Sequence, residues 1–216
     1  MYALDTSEAK KADNTGSRIT ELGKYVGHFT QAEDVTAKTG TKGLSLSFES
    51  NGKSANLSIY TIRNNGDKLQ GYQTLMAMMT CLQLRNLTER EGTVKVWDNV
   101  ARKEVERAGL TFPELCNKRI GLLLETEDYL KQDGTTGTKM VIAGVFQADT
   151  DLTASEILDR KTTPERLSQM EMRLRHRPVK GAPAAVPASH GGYGHQQAAP
   201  AYAGSGFSDL DDSIPF

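Results

Sequence analysis

The sequence predicts a mainly β fold with a few helices, and three observations predict it. Residues 44–63 alternate apolar and polar side chains around an Asn-Gly pair. Residues 68–86 switch to helical spacing. Two further β-rich runs, 119–130 and 138–148, close the body before the composition collapses near residue 178.

Residues 1–15 are polar and read as a flexible N-terminus. "GKYVGHFTQAEDVTA", residues 23–37, is rich in β-branched and aromatic side chains, so it reads as one long strand bent at Gly27. In "LSLSFES" Leu44, Leu46 and Phe48 alternate with Ser45, Ser47 and Glu49, as in a half-buried strand. "SNGK" tolerates the positive φ of a tight turn, so "SANLSIYTIR", residues 54–63, returns as the hairpin partner.

Leu69, Tyr72, Met76, Met79 and Leu82 then recur three or four apart, and Leu75, Met78 and Cys81 widen that face. A well-buried core helix is expected, although a methionine-rich helix also suits a partner surface. "TVKVWDNVARKEVER", 93–107, reads as a hairpin about Asp98-Asn99 with Trp97 near its tip. "TFPELCNK" reads as a short helix capped by Thr111, and residues 131–137 as a flexible loop between the last two strands.

Thr153 and Glu156 form a capping-box pair, and Thr163 with Pro164 marks a second helix start. Leu167, Met170 and Leu174 give that helix a narrow apolar stripe. These C-terminal helices, 151–177, are expected to pack on the body or to form an oligomer contact. Residues 178–208 are dominated by Ala, Gly, Pro, Ser and Gln. Such a segment buries too little apolar surface to offset its ordering entropy, so it reads as a disordered linker.

The order of three strands, a helix, an inserted hairpin and two strands matches an OB-fold over residues 16–150. That fold is a five-stranded Greek-key barrel. A mixed α+β sheet without barrel closure is the rival arrangement.

Several function classes lose support. There is no phosphate-cradling Walker loop and no G-x-S-x-G elbow. Cys81 and Cys116 lack CxxC spacing and read as free thiols in a reducing compartment. His28, His176, His190 and His195 are scattered. The acids Glu125, Glu127 and Asp128 read as a strand edge rather than a magnesium site. No enzyme, metal or cofactor is expected. No leader or membrane-spanning run is evident, so a cytoplasmic location is expected.

Charge is uneven along the chain. Residues 1–180 hold all 26 bases and 24 of the 27 acids, a net +2, whereas residues 181–216 carry −3. Gripping a single nucleic-acid strand requires cations for phosphates and aromatic rings for bases. Candidates for both are Lys24, Tyr25 and His28 on the first strand, and Tyr60 and Arg63 on the third. Lys95, Trp97, Arg102 and Lys103 offer the same from the hairpin, as do Tyr129, Lys131 and Lys139 at the last two strands.

The chain ends "DLDDSIPF". This ending resembles the acidic tip of the bacterial-type single-stranded DNA-binding proteins, which follows a linker rich in Gly, Pro and Gln. The matching positions are Asp209, Asp211, Asp212, Ile214, Pro215 and Phe216, with Ser213 interrupting the acidic run. The 93–107 hairpin and "TFPELCNKRIGLLLE" look like bacteriophage-encoded proteins of that kind. The resemblance implies an OB-fold that binds and protects single-stranded DNA in replication, recombination and repair. It implies partner proteins recruited through the tip, a host-cell cytoplasmic location and possible homo-oligomers. The negative tip would also compete with DNA for the protein's own groove. Two alternatives stay open: an adaptor that uses such a tip without DNA binding, and a nuclease or annealing enzyme on an α+β body.

Overall fold

The computed structural model describes residues 18–98, 101–131 and 133–179. The N-terminal residues 1–17, the expected linker from Lys180 onward and the tip 209–216 lie outside the described residues.

The elements in chain order are β1 (Gly23–Thr36), β2 (Lys42–Ser50), β3 (Lys53–Ile62) and α1 (Gln70–Cys81), followed by β4 (Arg90–Asp98), β5 (Lys103–Thr111), β6 (Arg119–Leu130) and β7 (Thr136–Phe146). Two short helices follow, α2 (Ala154–Leu158) and α3 (Leu167–Glu171). The fold is mainly β, as expected, and its named strands pair antiparallel.

β1 joins the parts. Its first half pairs with β6, from Gly23 opposite Leu124 to His28 opposite Arg119. Its second half pairs with β2, from His28 opposite Glu49 to Thr36 opposite Lys42. Gly27 sits at the handover. A Cβ there would lie 1.9 Å from the Glu49 carbonyl oxygen, so only glycine permits this approach. Asn51 and Gly52 take the β2–β3 turn at φ 50° and 75°, as the Asn-Gly pair predicts.

The alternation in β2 and β3 sends Leu44, Leu46, Phe48, Ala55, Leu57 and Ile59 into the core. Phe29 meets Phe48 edge-on, with ring centroids 5.7 Å apart. β6 is apolar on both sides. Ile120, Leu122 and Leu124 join the main core, whereas Leu123 joins Phe146 and Leu167 in a second cluster. Val26, Met170 and Leu174 complete that cluster, so the stripe of the last helix does pack on the body.

Several expected details differ. α1 is shorter than predicted and turned about its axis. Met78, Cys81 and Leu82 are buried and Leu75 packs against the core, but Met76 is exposed. β3, β7 and α2 pack against α1, and they take its Leu75–Met78–Cys81 side. Thr111 caps no helix; it ends β5 and its hydroxyl donates to the Arg90 carbonyl at 3.2 Å. Where the sequence predicts a flexible loop over 131–137, Lys131 N–H donates to Thr135 O at 2.8 Å, Gly134 takes φ 77° and β7 already begins at Thr136. Cys81 and Cys116 are free, and burial pushes the Cys81 thiol up to about 12, so it stays protonated.

The Thr153–Glu156 capping box forms as predicted and does more than cap α2. Glu156 is fully buried. Its Oε2 accepts from the Thr153 N–H at 2.8 Å and the Thr153 hydroxyl at 2.7 Å. Its Oε1 accepts from the N–H groups of Glu165 at 2.8 Å and Arg166 at 2.9 Å. Thr163 caps nothing: the carboxylate takes the N–H groups of Glu165 and Arg166, and α3 starts at Leu167, after Arg166 at φ −86° and ψ −33°.

Burial pushes the Glu156 carboxyl up, but its four hydrogen bonds outweigh that and leave it at about 2. The folded value lies below the ordinary 4.5, so the stabilisation is complete above that pH and is lost as pH falls toward 2. Urea midpoints should therefore fall between pH 4.5 and 2 through a component that Glu156→Gln lacks. At neutral pH, Glu156→Ala should cost about 2–4 kcal/mol, because it strands buried donors.

Candidate nucleic-acid interface

The β4–β5 hairpin is seated on β1 by two side chains. The Gln31 amide accepts from Lys95 N–H at 2.7 Å and donates to Lys95 O at 3.2 Å, filling a rung on the outer edge of β4. Glu33, 5% exposed, meets the Arg107 guanidinium at 2.6 Å. Glu33 also pairs with Thr111 in the β1–β5 ladder, and Gly109 leaves room for its carboxylate. The face carrying Val94 and Arg107 therefore lies toward the body, and Val94 is fully buried.

The opposite face carries Thr93, Lys95 and Trp97 on β4, set across from Ala108, Glu106 and Glu104 on β5. Trp97 is 57% exposed. Lys95 shares its face and is exposed, Arg102 is exposed in the turn, and Lys103, across from Asp98, is exposed on the opposite face. Glu104 and Glu106 share the face, so its charge is mixed rather than uniformly basic. Ala101 N–H donates to the Asp98 carboxylate at 3.0 Å, which shapes the turn toward Arg102 at φ 49°.

Beside the hairpin seat lies the outer side of β1–β2–β3. Register puts Gln31 beside Ser47 and Asn56, and Ser45 beside Ser58. These side chains are short and polar, so an extended strand could approach the sheet closely. Sequence reasoning singled out none of them, although every second residue of "LSLSFES" and "ANLSIY" carried the signal.

The other candidates fall into three places. Lys24 and His28 line an open cleft of about 610 Å³ with Glu49, Ser50, Asn51 and Arg119. Lys24 is already engaged there, its Nζ 2.7 Å from Asp151 and 5.0 Å from the Phe146 ring centroid. Tyr25 is half-buried, packs against the main core and donates to the Glu21 carbonyl at 2.8 Å. Burial and the nearby Glu21 push its hydroxyl above the ordinary value.

Tyr60 is half-buried beside Gly43, and Arg63 is exposed in the following turn. At the far end of β6–β7, Tyr129 lies against Gly137, with the Lys139 ammonium 5.9 Å from its ring centroid. Lys139 also meets Glu127 at 3.4 Å, and Lys131 is exposed. Of the four hairpin residues, Lys95 and Trp97 share one face, Arg102 lies in the turn and Lys103 is on the other face, while the rest are dispersed along β1, β3 and β6–β7.

The acids of β6 are occupied by the chain's own C-terminal segment. Arg177 binds Glu125 through Nε, His176 lies 2.9 Å from both Thr126 and Asp128, and Arg177 N–H donates to Thr126 O at 2.8 Å. Hydrogen bonds from Thr138 and His176 hold the Asp128 carboxyl below the ordinary carboxylate range. Among the described residues no group of His, Cys, Asp and Glu is arranged to hold a metal. No helix among them is long and apolar enough to cross a membrane.

No protein-family model matches this chain, and no curated protein matches it.

The Glu33–Arg107 contact generates a test. Glu33→Gln should weaken the hairpin seat, raising hydrogen exchange of β4 and β5 amides by about tenfold. The β2–β3 amides should keep their protection. Equal acceleration everywhere would show that the pair supports the whole fold instead.

Proposed function

We propose that this protein binds single-stranded DNA without sequence preference and recruits other proteins through its C-terminal peptide. The observation that carries the reading is Trp97, more than half exposed on a seated hairpin, with Lys95 on its face and Arg102 in the adjoining turn. A ring held out by a rigid hairpin is a stacking platform, and stacking contributes about 1–3 kcal/mol per base. The short polar side chains of the β1–β2–β3 outer face give the strand a path beside it. Glu104 and Glu106 temper the local charge, so the salt dependence should be shallower than the count of cations suggests.

We also infer an OB-fold for the body, with β1, β2, β3, β6 and β7 as its five strands. The supporting features are the sharing of β1 between β2 and β6, and the packing of α1 against β3 and β7 at the two ends of the strand path. β4–β5 is then an insertion between the helix and the fourth barrel strand. The ending Asp209–Phe216 supports a non-enzymatic role in replication, recombination or repair in a cell's cytoplasm, and the 93–107 hairpin with residues 111–125 supports a bacteriophage origin. Its aspartates suit a basic rim and its Ile-Pro-Phe an apolar pocket on the partner.

The chain has one tryptophan, so fluorescence reports on the site directly. Oligo-dT should quench Trp97, with affinity falling as salt rises. Trp97→Ala, followed by anisotropy of labelled dT, should weaken binding roughly tenfold with little change in stability. Lys103→Ala should reduce the salt slope by about 0.7. No response to dT, duplex DNA or RNA would sink the binding reading in favour of an adaptor. Cleavage of labelled DNA with magnesium would favour a nuclease.

A further inference from the structure

Helix α1 leaves an apolar stripe uncovered. Tyr72 and Met79 are half-buried and Met76 is 36% exposed, and none of the three belongs to either apolar cluster. They lie at i, i+4 and i+7, on one side of the helix. The twelve residues of α1 include no charge. Lys68 precedes the helix, its Nζ 4.4 Å from the Tyr72 ring centroid, and exposed Arg85 follows it. The first turn has neither an acid nor a side-chain cap, so the positive end of the helix adds to Lys68. The surface is thus a basic entrance leading onto a methionine-lined strip. It suits a peptide whose acids come first and whose apolar anchors follow.

The chain ends in such a peptide: Asp209, Asp211 and Asp212, then Ile214, Pro215 and Phe216. We propose that α1 is a docking site for the chain's own C-terminal peptide. The aspartates meet Lys68 and the helix start, and Ile214 and Phe216 lie on Tyr72, Met76 and Met79. Reach allows it. Residues 180–208 separate Val179 from the peptide, and a coil of that length spans roughly 30 Å. A body of this size has a radius of gyration of about 15 Å. The helix packs on β3, β7 and α2, whereas the hairpin is seated on β1. Docking would therefore hold the peptide in reserve for partners while the Trp97 side stays open to DNA, in place of the competition with DNA expected from the sequence. The inference rests on reading residues 209–216 as a binding peptide, not on DNA binding.

The full chain with Phe216 replaced by the photo-cross-linker p-benzoylphenylalanine tests it. At low protein concentration, irradiation should give intrachain links to Met76 or Met79, mapped by mass spectrometry. Links to the hairpin, to the β1–β2–β3 outer face or to residues 1–17 would overturn the proposal, as would no intrachain link. In a second measurement, labelled Asp-Leu-Asp-Asp-Ser-Ile-Pro-Phe is titrated into the chain lacking 209–216. Met76→Glu should weaken the peptide about tenfold and Met76→Leu should retain it; equal binding to Met76→Glu overturns the site. Met76→Glu should bind oligo-dT as the parent does. Loss of both ligands would assign α1 to the DNA side and overturn the proposal. A parent protein that binds the peptide but not dT would support this site and sink only the DNA-binding reading.

Discussion

The fold depends on one close approach, at Gly27. β1 must hydrogen-bond to β6 along its first half and to β2 along its second, and the two ladders meet at His28. Gly27 lies against the Glu49 carbonyl, where a side chain of any size would collide with backbone rather than with a movable group. Two glycines keep similar clearances nearby. Gly121 faces the Phe146 ring, where a Cβ would sit 2.1 Å away, and Gly43 faces the β3 backbone. These positions let a single strand serve two ladders without opening the core. The hairpin depends on the same strand, because Gln31 and Glu33, which seat it, stand on the β1 segment that this arrangement holds in place.

Local chemistry made part of this legible in advance. The alternation over 44–63, the Asn51-Gly52 turn and the Thr153–Glu156 box each depend on residues within a few positions of one another. Their outcomes follow from period, φ and capping geometry. The orientation of α1 was not legible for a definite reason. Tyr72–Met76–Met79 and Leu75–Met78–Cys81 are two apolar stripes on one helix, and only β3, β7 and α2 decide which is covered. The Thr163 cap failed in the same way, since Glu156 competes for the next two N–H groups across nine and ten residues. At the candidate site, the aromatic and basic residues of the hairpin could be read from its sequence. Glu104 standing opposite Trp97 could not, because it requires the β4–β5 register.

The interactions at the surface divide into two kinds. Exposed pairs such as Arg119–Asp149 contribute little, because water and salt screen them. Glu33 and Glu125 are different: their side chains are 6% and 7% exposed, and each has an arginine partner. Removing that partner would leave a carboxylate with its desolvation uncompensated. The first of these pairs holds the hairpin, and the second holds the end of the described chain, so both appendages are fastened by a buried acid.

The second fastening holds the last described residues on β6. β6 pairs with β1 only through Leu124, and its remaining residues, paired with β7, have an edge that β1 does not reach. Arg177 bridges to Glu127 on β6, and its backbone bonds Thr126 and Asp128. With Arg177 on Glu125 and Arg175 N–H donating to the same carboxylate, release of this segment would expose both an acid and a strand edge. Glu125 thus holds both the Arg177 guanidinium and the Arg175 N–H, and the C-terminal segment is fastened there. Its anchor lies at the β6–β7 end of the molecule, whereas the hairpin is seated on the second half of β1. The hairpin and the last described residues are thus fastened at different places on one sheet.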